Sequence, residues 1–417
     1  MIRRKFILLL FMATLYSFIV INNTGASNQS HKQFYVYGTV KYIYDKKFSS
    51  EYLVGDNLLV SKKSKKTKLK CGDIIEVYGY KADIKSKTKS DFDYRRYLKS
   101  RGINNVIEIK KYKKTGENIF YKIVGIIREK ITIANGDMYR ENSGLVNAVA
   151  TGDKSGIDKK TSYIFMDSGT SHIMAISGLH VGIFLVISIV IIGNITNIYK
   201  FLAVLIAVSI YGILVGNSAS IMRAVDLLFF SYLSIFLDER CDIVNTLSLI
   251  ASIMIFRNPF VIFNVSFQLS FISVASISIF SKYIEKYVYG KSLSVSIAAM
   301  LGTAPLVLYY FKEVSLAGII SNVVAVPAIG VIVTLDFLSV IMYYLLPVIG
   351  YVFSFINSAI TDMLMEFLKK VGNFGMGNIV CREIGLKYVI AYYIVIIFVG
   401  GAIYLHTINK NKIKEFI

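Results

Sequence analysis

The sequence predicts a polytopic α-helical membrane protein that carries a small extracytoplasmic OB-like β-barrel domain. Three observations predict it. Fifty-four per cent of the 417 residues are hydrophobic and the mean hydropathy is +0.55, more apolar surface than a soluble domain needs. Several apolar runs reach the roughly 18–20 residues that span a bilayer. Residues 31–143 differ: 26 lysines and arginines stand against 13 acidic residues, +13 of the chain's +20 net charge. There, β-branched and aromatic residues alternate as they do in half-buried strands.

Residues 1–27 read as an N-terminal transmembrane anchor or a signal-like segment. Arg3, Arg4 and Lys5 precede an apolar run from Phe6 to Ile21, and Thr24-Gly25-Ala26 would suit signal peptidase, so both readings stand. Residues 31–115 form the OB-like basic domain. Its strands are expected over Gln33–Tyr44, Glu51–Val60, Asp73–Tyr80 and Asn104–Tyr112, with a short helix over Phe92–Arg101. Ser61–Lys70 is a lysine-rich hairpin loop, either a contact for a polyanion or a solvated tip. Residues 116–168 supply linking helices, and residues 169–407 a helical membrane domain. Residues 408–417 are a basic cytoplasmic tail.

Candidate spans are His172–Gly193, Tyr199–Val215, Ser220–Leu237, Ile243–Phe256, Phe260–Ser281, Leu293–Phe311, Ser315–Val326, Ala328–Leu346, Val348–Leu368 and Tyr388–Leu405. The short ones, and those beside Pro305 and Pro327, are expected to be broken helices. The stretch TSHIMAISGLHVG (Thr170–Gly182) opens the first span with two of the four histidines and two glycines. As a helix it would carry two small-xxx-small pairs, Ser171 with Ala175 and Gly178 with Gly182, which let backbones approach closely. Ser177 and His180 would share a face. Polar residues inside the spans are few: Arg223, Asp226, Gln268, Asn322, Asp336 and Asp362. Arg223 and Asp226 are spaced to pair on one helix; otherwise Arg223 faces a wet path and meets a phosphate.

Several chemistries are excluded. Cys71, Cys241 and Cys381 form no CxxC, so neither a disulfide framework nor a zinc site is expected. TGDKSGID (Thr151–Asp158) lacks the Gly-Lys-Ser/Thr ending of a phosphate loop and the acidic spacing of a Ca²⁺ loop. Four histidines form no HxHxDH-type cluster.

Taken together, the segments resemble the ComEC competence family, the inner-membrane DNA channel of natural transformation. The residues that carry the resemblance are TGDKSGID, then GTSHIMAISGLHVG (Gly169–Gly182) and SASIMRA (Ser218–Ala224). NPFVIFNVSFQLSF (Asn258–Phe271) and TAPLVLYYFKEVSLAGIISNVVAVP (Thr303–Pro327) follow in the family's order. FDYRRYLKSRGI (Phe92–Ile103) resembles the end of the family's OB-like domain. The resemblance implies a multi-pass bacterial plasma-membrane protein that passes single-stranded DNA into the cytoplasm, with no catalysis and no cofactor of its own. It implies functional positions in the channel at Asp153, Lys154, His172, Ser177, Gly178, His180, Arg223, Gln268 and Asn322. Lys62, Lys63, Lys65, Lys66, Arg95 and Arg96 are the expected DNA contacts of the outer domain. Tyr35, Tyr37, Tyr78, Tyr80 and Tyr94 could stack bases there. Partners would be membrane lipid, a separate nuclease, a DNA receptor and a cytosolic ATPase, with a homo-oligomer left open. The expected form is one without the metallo-β-lactamase-like domain that many relatives carry. Two other readings are an intramembrane hydrolase with Ser177 as nucleophile and His180 as base, and a transporter of another anionic substrate.

Charge placement predicts the topology: N-terminus inside, basic domain outside, C-terminus inside. With single cysteines placed at Lys65 and Lys412 on a cysteine-free background, an impermeant outside label should reach residue 65 and not residue 412. The reverse pattern would invert the topology.

Overall fold

The computed structural model describes residues 5–23, 33–46, 49–62, 69–82, 93–174, 176, 178–193, 197–216, 218–237, 242–374, 377–381 and 384–415. Ser177, Lys63, Lys65 and Lys66 lie outside the described residues. The chain falls into two compact units.

The first unit contains the barrel. Strands β1 (Gln33–Asp45), β2 (Ser49–Val54), β3 (Asn57–Lys62), β4 (Asp73–Lys81) and β5 (Asn105–Glu117) close in the order β1-β2-β3-β5-β4. Only β3 and β5 run parallel. The stretch Glu51–Val60, expected as one strand, is a hairpin of β2 and β3, turned at Gly55 with φ +60°. Alternation sorts the strands: Val36, Val40, Tyr52, Leu59, Ile75 and Ile107 point inward and are buried. Helix α2 (Tyr94–Ser100) starts at Asp93, whose carboxylate accepts from the N–H groups of Arg95 (3.0 Å) and Arg96 (3.1 Å). Leu98 and Ile103 then pack with Leu58 and Val106.

The helices of this unit begin with α1 (Lys5–Asn23). It packs along α9 (Ile243–Arg257), and its buried Ser17 hydroxyl donates to Pro259 O at 2.6 Å. α3 (Ile119–Tyr139) leaves the barrel, and its last two turns enter the helical core. Ile131, Ala134, Met138 and Tyr139 pack there with Val181 of α6 (Gly178–Ile192) and with Val204, Val208 and Tyr211 of α7 (Ile198–Val215). α4 (Ser143–Thr151) and α8 (Ala219–Phe236) complete this layer with parts of α10 (Val265–Ile284), α12 (Gly318–Leu345) and α13 (Pro347–Asn373).

The second unit holds most of α5 (Lys159–Asp167), α11 (Lys291–Phe311), α14 (Leu386–Glu415), the strand pair β6 (Glu313–Ser315) and β7 (Asn378–Val380), and the remaining parts of α10, α12 and α13. Close approaches fix it. A Cβ on Gly302 would stand 2.6 Å from Ser276 Cβ, and the Tyr393 hydroxyl donates to Gly302 O at 2.7 Å. The Ser315 hydroxyl donates to Asp167 O at 2.7 Å.

Among the described residues six helices are long and apolar enough to cross a membrane, so the chain is a multi-pass membrane protein with a small barrel domain. Two boundaries differ from expectation. Ser315–Val326 and Ala328–Leu346 are one helix, α12, with Pro327 inside it. In hydrocarbon no water waits for the backbone, so a proline costs one hydrogen bond and the helix continues. His172–Gly193 is instead broken: a 3₁₀ turn over Ser171–Met174 precedes α6, and Ala175 lies outside the described residues.

Where β5 meets α3, the Glu117 carboxylate accepts from Lys114 (2.6 Å) and from Lys122, and Lys114 also reaches Asp73 at 2.7 Å. The hydrogen bonds from Lys114 and Lys122 push the Glu117 carboxyl from 4.5 down to about 2. A depressed carboxyl stabilises the fold above its ordinary pKa, and that contribution drains away as pH falls through the folded value. The melting-temperature gap between wild type and Glu117→Gln should therefore be constant above about pH 5 and close between about pH 4.5 and pH 2. A gap that does not change with pH would exclude this linkage.

Candidate nucleic-acid interface and membrane polar site

The outer face of the barrel is built by cross-strand register. On β1, β4 and β5, Tyr35 pairs with Tyr78, which pairs with Lys111; Tyr37 pairs with Glu76, which pairs with Lys113. Paired residues point the same way, so these rows share one face. Tyr35, Tyr37 and Tyr78 are exposed at 53%, 62% and 49%. The Tyr35 and Tyr78 rings lie 5.0 Å apart. Lys111 and Lys113 stand exposed beside them, and Lys110 lies over the Tyr80 ring at 4.5 Å. Aromatic faces next to lysines suit a polyanion with exposed bases. The run Lys110-Lys111-Tyr112-Lys113-Lys114 was absent from the expected contacts. Its signal, lysine interleaved with tyrosine, is plain in the sequence, but the denser lysine loop outweighed it.

Of the expected outer contacts, Lys62 is exposed and stands 3.4 Å from Glu108. Arg95 and Arg96 open α2, and Arg96 serves packing. Its guanidinium pairs with Asp93 at 3.3 Å and lies over the Phe263 ring at 5.0 Å. Lys99 lies over Phe260 at 4.6 Å, and Asn258 Nδ2 donates to Lys99 O (2.9 Å) and Ser100 O (3.3 Å). The barrel's helix is thus clasped to the 3₁₀ turn Pro259–Phe263. Beside it, Tyr44, Tyr94, Tyr97 and Arg101 line a cleft of about 230 Å³, with Arg101 Nη2 donating to the Tyr44 hydroxyl at 2.9 Å. Tyr94 is 38% exposed.

Inside the membrane layer, motif residues distant in sequence meet. Gly178 begins α6, and a Cβ there would stand 2.7 Å from Arg223 Nη2 and 3.5 Å from Ala224 Cβ. Arg223 is 6% exposed. Its guanidinium occupies the space that a side chain at 178 would need. His180 is fully buried, and its ring meets the backbone of Val149 on α4. Gly152, the left-handed cap of α4, would place a Cβ 3.0 Å from Ile176 and 3.5 Å from Val215 O. Asp153 follows, its carboxylate accepting from Ser155 N–H at 2.9 Å, and Lys154 is exposed in the same turn. α4, α6, α7 and α8 thus bring Gly152, Gly178, His180 and Arg223 to one region.

Three expectations change. Gly182 packs against nothing: a Cβ there meets no atom within 4 Å, so Gly178 alone makes the close contact, against a side chain rather than a backbone. Asp226 faces the charge of Arg257, while the Arg223 guanidinium lies against Gly178. His172 is exposed, outside this cluster. Gln268 and Asn322 belong to the second unit. There Gln268 lies beside the Tyr310 hydroxyl, and Asn322 Oδ1 is buried without a hydrogen-bond partner. Among the described residues no group of histidine, cysteine and acidic side chains could hold a metal ion.

A family model described as "Competence protein" matches residues 149–405. The chain is 30% identical over 244 residues to ComE operon protein 3 of Bacillus subtilis, covering 57% of this chain and 31% of that one. It is 26% identical over 210 residues to Recombination protein 2 of Haemophilus influenzae, covering 44% and 26%. It is 31% identical over 156 residues to an uncharacterized protein of Aquifex aeolicus, covering 37% of each. The chain thus spans less than two fifths of the length of each of these relatives. No solved structure matches it.

The Gly178–Arg223 contact generates a prediction. Gly178→Leu should lower the stability of the full-length protein in detergent by about 1–3 kcal/mol. Arg223→Ala should recover about 1 kcal/mol of that loss in the double variant. Strictly additive losses in the melting cycle would mean that something other than Arg223 opposes bulk at 178.

Proposed function

The chain belongs to the competence protein family, and on that premise we propose that it is a channel of the bacterial inner membrane that passes single-stranded DNA into the cytoplasm during natural transformation. The observation that supports this reading best is the tyrosine–lysine face of the barrel. A polyanion cannot enter hydrocarbon, so it needs a wet path lined by protein. Lysines on the barrel raise its local concentration through counterion release. The tyrosine rings hold bases without choosing among them, since every base has a π-face. In this reading Arg223 and His180 serve the path, and Gly178 leaves room for the guanidinium.

No covalent step belongs to this reading. Transport would draw its driving force, its DNA receptor and any nuclease from other proteins. Lipid is the surrounding solvent.

Binding of labelled single-stranded DNA to the full-length protein in nanodiscs, measured against salt, tests it. Replacing Lys111 and Lys113 with Gln should flatten the slope of log affinity against log salt by about 0.7 per lost phosphate contact. Tyr78→Ala should weaken binding about tenfold, as loss of one stacked base costs ~1–3 kcal/mol. The same slope and the same affinity in both variants would refute the barrel face as the DNA platform.

A further inference from the structure

Three helices of the first unit carry polar oxygen atoms into the buried core, and three of those oxygens meet no donor among the described residues. Asn135 of α3, Asp336 of α12 and Asn357 of α13 are each fully buried. Asn135 Nδ2 donates to Asn147 Oδ1 at 2.9 Å and reaches Asp336 Oδ2 at 3.5 Å. Asn357 Nδ2 donates to the Tyr139 hydroxyl at 2.9 Å and to Ile332 O at 3.0 Å. The Tyr139 hydroxyl in turn lies beside Asp336. After these bonds Asn135 Oδ1, Asp336 Oδ1 and Asn357 Oδ1 are left without any hydrogen-bond partner.

The amide orientations are set by chemistry. Ile332 O can only accept, so the amide nitrogen of Asn357 must face it. Flipping Asn135 would set an oxygen against the Asp336 carboxylate. The surplus therefore consists of acceptors, and among the described residues no basic side chain pairs with Asp336. An uncompensated buried carboxylate costs several kcal/mol, and each unpaired buried acceptor adds to that.

A single proton on Asp336 would neutralise the charge but donate only one hydrogen bond, so at least one amide oxygen would remain unpaired. A divalent ion would leave a buried positive charge. A monovalent hard cation removes the one negative charge and takes neutral amide and carboxylate oxygens as ligands. We propose that Asn135, Asp336 and Asn357 form a binding site for an alkali-metal cation inside the helical unit. This inference does not depend on what the barrel binds. Because the ligands come from α3, α12 and α13, occupancy would tie the helix that leaves the barrel to two membrane helices, and cation concentration would bias their packing.

The test uses the full-length protein in detergent without DNA. ²²Na⁺ should be retained stoichiometrically and displaced by unlabelled Na⁺, Li⁺ or K⁺, but not by choline. The melting temperature should rise with Na⁺ at constant ionic strength made up with choline. Asp336→Asn, nearly isosteric, should abolish both effects, and Asn135→Ala should raise the half-saturating Na⁺ about tenfold. If Asp336→Asn does not fold, wild-type retention and its competition decide the matter. No retention above the choline background overturns the proposal. So does a melting temperature that follows pH and ignores Na⁺, the behaviour of a protonated Asp336.

Discussion

Inside hydrocarbon a polar group has no water to fall back on, and the helical part of this protein is arranged around that constraint. The commonest answer is local. Ser188, Ser209, Ser248, Ser252, Ser278, Thr303, Thr334, Ser339 and Thr361 all donate to the carbonyl four residues earlier, at 2.7–2.9 Å. A hydroxyl satisfied this way makes no demand on a neighbouring helix. The groups too long or too charged for that answer decide how helices meet. Arg223 reaches across to α6, where only a glycine leaves it room. His180 turns to the backbone of α4. Tyr343 reaches Asp137 at 2.7 Å and Tyr344 reaches Lys130 O at 3.0 Å, so α12 is held to α3 by phenol hydroxyls as well as by apolar packing.

The barrel obeys a different constraint. Water surrounds it, so alternation alone sorts its strands, and charge can be left in the open. That contrast explains how much could be read from the sequence. The β1 and β4 stretches alternate cleanly and were placed to within a residue or so. Glu51–Val60 concealed its hairpin because Val54-Gly55-Asp56-Asn57 is a short turn inside an otherwise strand-like run. Apolar runs located the membrane helices but not their breaks. Pro327 looks like an end and is not, whereas the 3₁₀ turn over Ser171–Met174 carries no breaker in its own four residues.

The site was legible in kind and only partly in membership. Gly178, His180 and Arg223 stand out as polar or small residues in apolar surroundings; the Arg223 guanidinium lies against Gly178, and His180 turns to the Val149 backbone. Gly182 has the same spacing signal and meets nothing, because periodicity names a face of a helix without saying what lies opposite. Arg96 looked like a phosphate contact by charge, yet its partners are Asp93 and Phe263. Asn135 gave no warning at all. It sits in a helix that reads as a linker, and its importance comes from Asp336 and Asn357, some two hundred residues away.

The clasp between α2 and Pro259–Phe263 has a consequence for the barrel. Had the barrel hung from the bundle on a flexible linker, a strand captured there would have to search for the bundle, at an effective concentration set by linker length. Asn258 holds two carbonyls at the end of α2 while Lys99 and Arg96 lie over the rings of Phe260 and Phe263, so the search is replaced by a fixed bearing. Whatever the barrel grips is presented to the helices in one orientation. A ligand bound there would lose reach and gain direction.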